Sequence, residues 1–267
     1  DGFLPDDNVR FRMYPISFGK GVETIFHEGV LFSYPGLKKS FGTLFSMDVA
    51  QGSIRKGEIL GIMGANGLGK STFLKIISGL ENADDVTLEK RSVSFKPQYL
   101  EASDETVQDY LQPEDSGWYK QHILEKLNVR AILRHKLSEL SGGELQKVHI
   151  AKTLSTDADI LVFDEPTAFV DVEDRLHIAE VIKEFVTKKE RCALVVDHDV
   201  QFMDYLSDSL LIFEGQAGIK GAVSSPLRKE EGMNKLLKFL GITYRMDTET
   251  GRARINKPDS VLDREQR

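Results

Sequence analysis

A glycine-rich segment restricts the possible folds of this chain more than any other feature. The pattern GxxxxGK(S/T) is met by Gly64, Ala65, Asn66, Gly67, Leu68, Gly69, Lys70 and Ser71. Glycine lets the backbone curl until successive N–H groups face one anion, and the start of a helix adds a positive partial charge. The segment therefore predicts a loop that binds nucleotide phosphates. In such a loop Lys70 contacts the β- and γ-phosphates, and Ser71, with Thr72 beside it, is placed to reach Mg²⁺.

Hydrophobic periodicity predicts strands that alternate with helices around this loop. The predicted strands are residues 30–33, 44–49, 59–63, 93–95, 160–163, 193–196 and 210–213. The predicted helices are residues 71–80, 107–111, 118–127, 144–154 and 172–188. This alternation favours an α/β fold with a mostly parallel core sheet, an early antiparallel β part and an inserted helical lobe.

Two adjacent acids follow a continuous apolar run. Residues 160–163 are Ile-Leu-Val-Phe, which is typical of a parallel strand covered on both faces, and Asp164 and Glu165 come directly after them. Ligands of open α/β sheets bind at the carboxyl ends of the strands. Asp164 is therefore predicted to hold Mg²⁺ through water, and Glu165 to polarise the attacking water.

Composition excludes several other classes of protein. The net charge is −7, so any contact with RNA has to be local. No apolar run approaches the roughly 18 residues of a transmembrane helix, and no apolar signal segment follows Asp1. The single cysteine, Cys192, excludes an internal disulfide and a cysteine-built cluster. We expect a cytoplasmic protein without a membrane partner and, because the chain does not begin with Met, part of a longer one.

A second glycine pair begins another predicted helix. The segment Leu140-Ser141-Gly142-Gly143-Glu144 can be interpreted simply as a helix cap, because Ser at the N-cap with Glu three residues later forms a capping box. A capped helix start with two glycines also presents free N–H groups to an anion. The two interpretations are compatible.

Together these segments resemble ABC-type ATPases, the family whose signature motif is similar to residues 140–146. The resemblance implies that Tyr34 stacks on adenine and that His198 reaches the γ-phosphate. It also implies that Gln98 lies between the two lobes, where it contacts the metal. It implies a catalytic set of Glu165, His198 and Gln98 and a metal set of Ser71, Gln98 and Asp164. It also implies that two domains face each other head to tail and share ATP. The residues that would contact the partner's ATP are Ser141, Gly142, Gly143, Glu144 and Asp171.

Segments near both ends resemble one family within this class, the RNase L inhibitor family of ribosome-recycling ABC proteins. These segments are residues 8–12, 232–235, 241–245 and 252–257. The resemblance implies the second nucleotide-binding domain of such a protein, with ATP and Mg²⁺ as cofactors. It also implies a second ABC domain, or a second copy of this chain, as partner, together with ribosomal subunits and rRNA.

The same resemblance implies a division of the chain into four parts. These are an entering hinge and first strand region at 1–27, an ATP-binding core at 28–98 and 157–240, a helical signature lobe at 99–156, and a closing hinge or tail at 241–267. Within the tail, a basic cluster is predicted to serve a hinge or a surface that faces RNA; its members are Arg252, Arg254 and Lys257.

The sequence departs from the family in two respects. The family's iron–sulfur domain and first ATPase domain have no counterpart among these residues, and one cysteine could not hold such clusters. The residue types at positions 167–170, before Asp171, also differ from those most common in this loop of the family.

Three alternatives remain open at this point. The ATPase subunit of a membrane ABC transporter would share every motif from Tyr34 to His198, but we would not expect it to carry the basic tail. A translation factor with duplicated ABC domains would show a long charged linker. A domain that binds ATP only as a switch would not require Glu165.

Overall fold

One mixed sheet organises the part of the chain that can be described. The structure is a computed structural model that describes residues 29–112 and 117–239, and the backbone of short strands at 3–4, 9–10, 244–246 and 253–255. Its strands are β1 (Phe3–Leu4), β2 (Val9–Arg10), β3 (Val30–Tyr34), β4 (Leu37–Phe41), β5 (Phe45–Val49), β6 (Gly52–Arg55), β7 (Ile59–Gly64), β8 (Val93–Lys96), β9 (Ile160–Asp164), β10 (Cys192–Val196), β11 (Ser209–Gln216), β12 (Lys220–Val223), β13 (Leu227–Arg228), β14 (Tyr244–Met246) and β15 (Ala253–Ile255). Its α-helices are α1 (Lys70–Ile77), α2 (Val107–Leu111), α3 (Gly117–Tyr119), α4 (Gly142–Ser155), α5 (Val172–Lys189), α6 (Val200–Leu206) and α7 (Lys229–Phe239).

The sheet combines a parallel block with antiparallel strands at one side. Its order is β4-β5-β12-β11-β7-β10-β9-β8, and β13 pairs with β11. The neighbours from β11 to β8 all run parallel, whereas β4 pairs with β5 and β11 with β12 in antiparallel fashion. The predicted fold class, with its early antiparallel part, is therefore confirmed.

The central strands are buried because helices cover both faces of the sheet. Every residue of β9 and β10 is buried. Alternate residues face opposite layers. Leu161 and Phe163 pack with α4 and α5, whereas Ile160 and Val162 pack with α1. The carboxyl ends of β7, β9 and β10 consequently meet at one edge, where polar side chains can gather.

The helical lobe differs in detail from the prediction. The segment expected as one helix at 118–127 begins as α3 and continues as a π-helix at Lys120–Glu125. Helix α1 ends at Ile77, earlier than predicted, because the cap at Ser78 is followed by Gly79 in the left-handed conformation, with φ 71°. Strands β4, β6 and β12 and helices α6 and α7 were not predicted.

The proposed division into four parts stays a prediction. Most of residues 1–27 and 241–267 lies outside the described residues, including Arg252 and Lys257 of the basic cluster. Arg254 falls in β15, for which only the backbone is described. Among the helices that the structure describes, none is both long and apolar enough to cross a membrane.

Candidate nucleotide-binding site

The phosphate loop connects β7 to α1, as the sequence predicts. Gly64 ends β7 with φ 145°, and a side chain there would place its Cβ 2.5 Å from the Phe213 carbonyl oxygen. Gly69 caps α1 with φ 95°. Both conformations are in the region that only glycine adopts without strain. The loop therefore lies close to the neighbouring strand β11 and directs the start of α1 toward the sheet edge.

The ammonium group of Lys70 lies within this loop. Its Nζ donates to the carbonyl oxygens of Gly64 and Ala65 at 2.8 and 2.9 Å, and to Asn66 Oδ1 at 3.4 Å. Burial lowers the pKa of Lys70, although the charges of Glu165 and Asp164 act in the opposite direction. A cation is thus held at the centre of the loop, where a phosphate group would need it.

The buried carboxylate beside the loop has the surroundings of a metal ligand. Asp164 is only 4% exposed, and Ser71 donates a side-chain hydrogen bond to it. Burial raises the pKa of Asp164, and its Oδ1 accepts no hydrogen bond from the described residues. Hydroxyl, carboxylate and amide oxygens are suitable ligands for Mg²⁺. Ser71, Asp164 and Gln98 therefore fit a magnesium ion, and the unpartnered carboxylate oxygen is the observation that supports it.

Glu165 occupies a strained turn directly after β9. Its φ is 48°, and its N–H donates to the Val196 carbonyl oxygen at 2.8 Å. His198 Nε2 lies 3.2 Å from Glu165 Oε1. The acid and the histidine, which are 33 positions apart in the chain, therefore lie next to each other at the sheet edge.

A polar network holds the loops that carry these two residues. Asp197 is buried, and its carboxylate accepts hydrogen bonds from the N–H and the hydroxyl of Thr167. It also accepts one from the Asp199 N–H. Arg175 donates to Asp199 and to the Val170 carbonyl oxygen. Burial raises the pKa of Asp197.

An open cleft of about 530 Å³ lies above the loop and the acids. This volume suits a small-molecule ligand. Its lining residues are Phe41, Phe45, Asn66, Gly67, Gly69, Lys70, Ser71, Thr72, Gln98, Glu165, Val196 and Gly218. Gln98 and Thr72 thus line the cleft, whereas Leu68 is buried. Their contacts with ATP and magnesium stay a prediction.

The expectation for Tyr34 is corrected by the structure. Tyr34 is 2% exposed, and its ring packs edge-on against Phe73 with centroids 5.5 Å apart. Residues of β3 alternate in direction, and Tyr34 shares the inward face with Phe32. The aromatic side chains that line the cleft are instead Phe41 and Phe45, whose centroids are 6.4 Å apart.

The signature segment forms the predicted cap at the start of α4. Ser141 Oγ accepts from the Glu144 N–H at 3.3 Å, and the Glu144 carboxylate accepts from the Ser141 N–H at 2.9 Å. The Ser141 hydroxyl also donates to the Glu144 carboxylate at 2.7 Å, and this hydrogen bond, followed by the one from the Ser141 N–H, lowers the pKa of Glu144. Within the described part of the chain, the cleft lining contains no residue of this segment.

The loop before Asp171 packs on the signature glycines. A Cβ at Gly142 would lie 3.1 Å from the Phe169 Cβ, and one at Gly143 would lie 3.0 Å from the Phe169 carbonyl oxygen. Phe169 itself is 84% exposed and has φ 62°. Asp171 is the N-cap residue of α5, but its side chain makes no cap hydrogen bond. The contacts of Asp171, Gly142 and Gly143 with a partner's ATP stay a prediction.

The sequence interpretation missed one charged residue beside the acids. Lys96 ends β8 and is 1% exposed, and its Nζ donates to the carbonyl oxygens of Asp164 and Glu165. Burial lowers its pKa to about 8, opposed by the charges of Asp164, Asp197 and Glu165. A lysine at the end of a buried strand is a signal that could have identified it.

Comparison with known proteins supports the same class. A family model described as ABC transporter matches residues 47–168. An uncharacterized ABC transporter ATP-binding protein of Methanocaldococcus jannaschii is 44% identical over 270 residues, which are 98% of this chain and 45% of that protein. Two solved structures match this chain with a TM-score of 0.84 and 45% sequence identity, and each match covers 99% of this chain and 53% of the other chain. They are the archaeal ribosome recycling factor aABCE1, in complex with the archaeal ribosomal stalk protein aP1, and an RNase-L Inhibitor.

The fold, the phosphate loop and the capped signature helix define an ATP-binding domain of the ABC family, to which this chain belongs. The chain spans about half the length of the relatives it matches. Within the ABC family it is a relative of the RNase L inhibitor proteins, which match it over nearly its whole length.

Proposed function

We propose that this chain binds and hydrolyses Mg²⁺–ATP as the second nucleotide-binding domain of a ribosome-recycling ABC ATPase. The arrangement at the sheet edge is the observation that carries the proposal. A phosphate loop with its lysine, a buried carboxylate and a histidine-paired glutamate meet around one cleft. Binding alone would require the loop, whereas Glu165 at the cleft adds a group that can accept a proton.

The chain's own residues perform the hydrolysis mainly through position and charge. Lys70 and the N–H groups of the loop bind the phosphates, and His198 stabilises the γ-phosphate. Glu165 accepts a proton from the attacking water as its oxygen bonds to the γ-phosphorus. The bond from that phosphorus to the bridging oxygen breaks, and ADP and phosphate result. Magnesium held by Ser71, Asp164 and Gln98 would neutralise charge that develops on the phosphates.

A complete site in this proposal needs two domains. The cleft supplies the phosphate loop but no signature residue, and Ser141–Glu144 form a helix start that can bind an anion elsewhere. The two are therefore expected to serve different ATP molecules, each shared with a second ABC domain or a second copy of this chain. ATP would join the domains, and its hydrolysis would release them.

Relatives support the biological role. One structural match is an archaeal ribosome recycling factor in complex with a ribosomal stalk protein. The similarity extends over 99% of this chain, beyond the ATP-binding motifs themselves. We therefore propose ribosomal subunits and rRNA as partners, subunit splitting as the task, and the cytoplasm as the location.

Two measurements test this proposal. In the first, the tagged chain is expressed with the Glu165→Gln substitution to retain ATP, and its co-sedimentation with ribosomal subunits and with membranes is compared. We expect ATP-dependent recovery with subunits. Recovery only with membranes would favour a transporter ATPase, one of the alternatives that the sequence leaves open.

The second measurement concerns nucleotide binding itself. Lys70→Ala removes the cation from the loop and should weaken ATP binding at least about tenfold, because a hydrogen bond to a charged group contributes about 1.5–3 kcal/mol and each 1.4 kcal/mol is about tenfold in affinity. Lys90→Ala, at an exposed position away from the cleft, is the matched control. Equal ATP affinity of the two variants would show that the loop does not bind the phosphates.

A further inference from the structure

A buried ammonium group contacts the turn that carries the two acids. Lys96 Nζ donates to the Asp164 carbonyl oxygen at 2.9 Å and to the Glu165 carbonyl oxygen at 3.2 Å. Lys96 is at the end of β8, which pairs in parallel with β9. The contact therefore joins an outer strand of the parallel block to the backbone of the catalytic turn.

Burying the Lys96 ammonium group costs free energy, which its contacts with the turn offset. A buried ammonium loses its hydration and is tolerated only with hydrogen bonds and opposite charges nearby. Lys96 has both: it donates two hydrogen bonds to the turn, and the negative charges of Asp164, Asp197 and Glu165 act on it. A methionine or leucine would fill the same space in a buried strand without that cost. The charge is thus not required for burial of the strand.

The turn has a conformation that needs support from its surroundings. Glu165 has φ 48°, which costs about 1–3 kcal/mol for a residue other than glycine and persists only where the surroundings fix it. Three contacts fix its backbone in the structure. Its N–H donates to the Val196 carbonyl oxygen at 2.8 Å, and its own carbonyl accepts from Lys96 Nζ at 3.2 Å and from the Ala168 N–H at 3.3 Å. Because φ and ψ fix the direction of the Cα–Cβ bond and limit the allowed rotamers, this backbone restricts where the carboxylate can lie.

We propose that Lys96 is a positioning residue for hydrolysis, which orients the Glu165 carboxylate toward the attacking water by fixing both carbonyl groups of the Asp164–Glu165 turn. This inference rests on the proposed ATPase function. Lys96 does not line the cleft in which the nucleotide is proposed to bind. Its loss should therefore affect the chemical step and leave ATP binding in place.

The test compares Lys96→Met with the parent chain and with Lys90→Met, an exposed control. Methionine keeps the stem of the side chain and removes both hydrogen bonds. We expect single-turnover ATP cleavage to fall about ten- to a hundredfold, the range for losing hydrogen bonds from a charged donor. The dissociation constant for ATP should stay within about threefold of the parent, because the loop contacts are unchanged.

A double-mutant cycle separates positioning from general damage to the fold. In the Glu165→Gln background, adding Lys96→Met should not slow the residual cleavage further, because residues that act as a unit are not additive. A purely structural lysine would slow cleavage by the same factor in both backgrounds. If Lys96→Met does not fold, as judged by thermal unfolding, Lys96→Gln keeps a neutral donor and carries the same cycle.

The outcomes are distinct. Parent-like cleavage by Lys96→Met, or equal losses in cleavage and in ATP affinity, overturns the role of Lys96 and leaves the proposed ATPase intact. Equal slowing in both backgrounds also overturns it. A parent chain that does not cleave ATP, or a Glu165→Gln variant that cleaves like the parent, overturns the proposed function and this inference with it.

Discussion

The aromatic residue that holds the adenine can be identified by a matched pair of substitutions. Phe41 is 44% exposed and lines the cleft, whereas Tyr34 is buried against Phe73. Phe45 is more constrained, since its ring lies close to the backbone of Gly69. We therefore expect Phe41→Leu to weaken ATP binding and Tyr34→Leu to leave it unchanged. Stacking of a base on an aromatic ring contributes about 1–3 kcal/mol, so the dissociation constant should rise about fivefold to 150-fold.

The free energy of unfolding should respond in the opposite order, with the larger loss for Tyr34→Leu and the smaller loss for Phe41→Leu. Tyr34 makes its contacts in the core, and replacing a buried aromatic side chain by leucine should reduce the free energy of unfolding by about 1–3 kcal/mol. Phe41 is half-exposed at the end of β4, so its replacement should cost less than about 1 kcal/mol. Titration calorimetry with ATP and urea unfolding measure both quantities. Weaker ATP binding by folded Tyr34→Leu, with Phe41→Leu equal to the parent, would refute the reasoning.

Three further predictions concern hydrolysis, assembly and pH. Glu165→Gln should keep the parent's ATP affinity and lose most single-turnover cleavage, because an amide cannot accept the proton from water; cleavage at the parent rate would contradict the assignment. Ser141→Arg should bind ATP normally in calorimetry yet show no ATP-dependent dimer in sedimentation, because the arginine blocks the second anion site; a dimer like that of the parent would argue against it. Burial and, to a smaller extent, the charge of Lys96 lower the pKa of His149 from 6.5 to about 4. The contribution of the neutral His149 side chain to stability is therefore complete above pH 6.5 and is lost as the pH falls toward 4. The free energy of unfolding of His149→Gln should therefore fall less than the parent's over this interval; equal slopes in urea unfolding would show that His149 does not contribute.

Local patterns in the sequence predicted most of the phosphate site. The loop from Gly64 to Ser71 and the acid pair at the end of β9 are each a contiguous segment, and their chemistry requires particular residues at fixed spacing. Such motifs can be recognised without knowledge of the fold. The pairing of Glu165 with His198, however, rested on the family resemblance, because no local pattern brings the ends of β9 and β10 together.

The adenine side of the cleft could not be assigned by the same reasoning. Tyr34 and Phe41 are both aromatic residues upstream of the loop, and only strand direction separates them. The alternation of β3 directs Tyr34 inward with Phe32. Strand β4 was not predicted because Lys38, Lys39 and Ser40 interrupt its apolar pattern. An edge strand with polar residues gives too weak a signal to place Phe41.

Helix α7 shows how tertiary packing overrides local preference. Gly232 lies in the interior of this helix, where glycine is unfavourable by about 1 kcal/mol relative to alanine. A Cβ at Gly232 would lie 2.6 Å from the Leu210 Cβ on β11. Close approach of the helix to the sheet therefore requires glycine, and propensity alone could not have predicted a helix there.

The central claim is that this chain hydrolyses ATP only when the loop of one domain meets the signature of another. The most direct measurement is ATPase activity per molecule over a wide range of protein concentration, with sedimentation of Glu165→Gln in Mg²⁺–ATP alongside it. Transient homodimers should make the activity per molecule rise with concentration, and the variant should sediment as an ATP-dependent dimer. Constant activity per molecule, with only monomer present during turnover, would contradict the composite site.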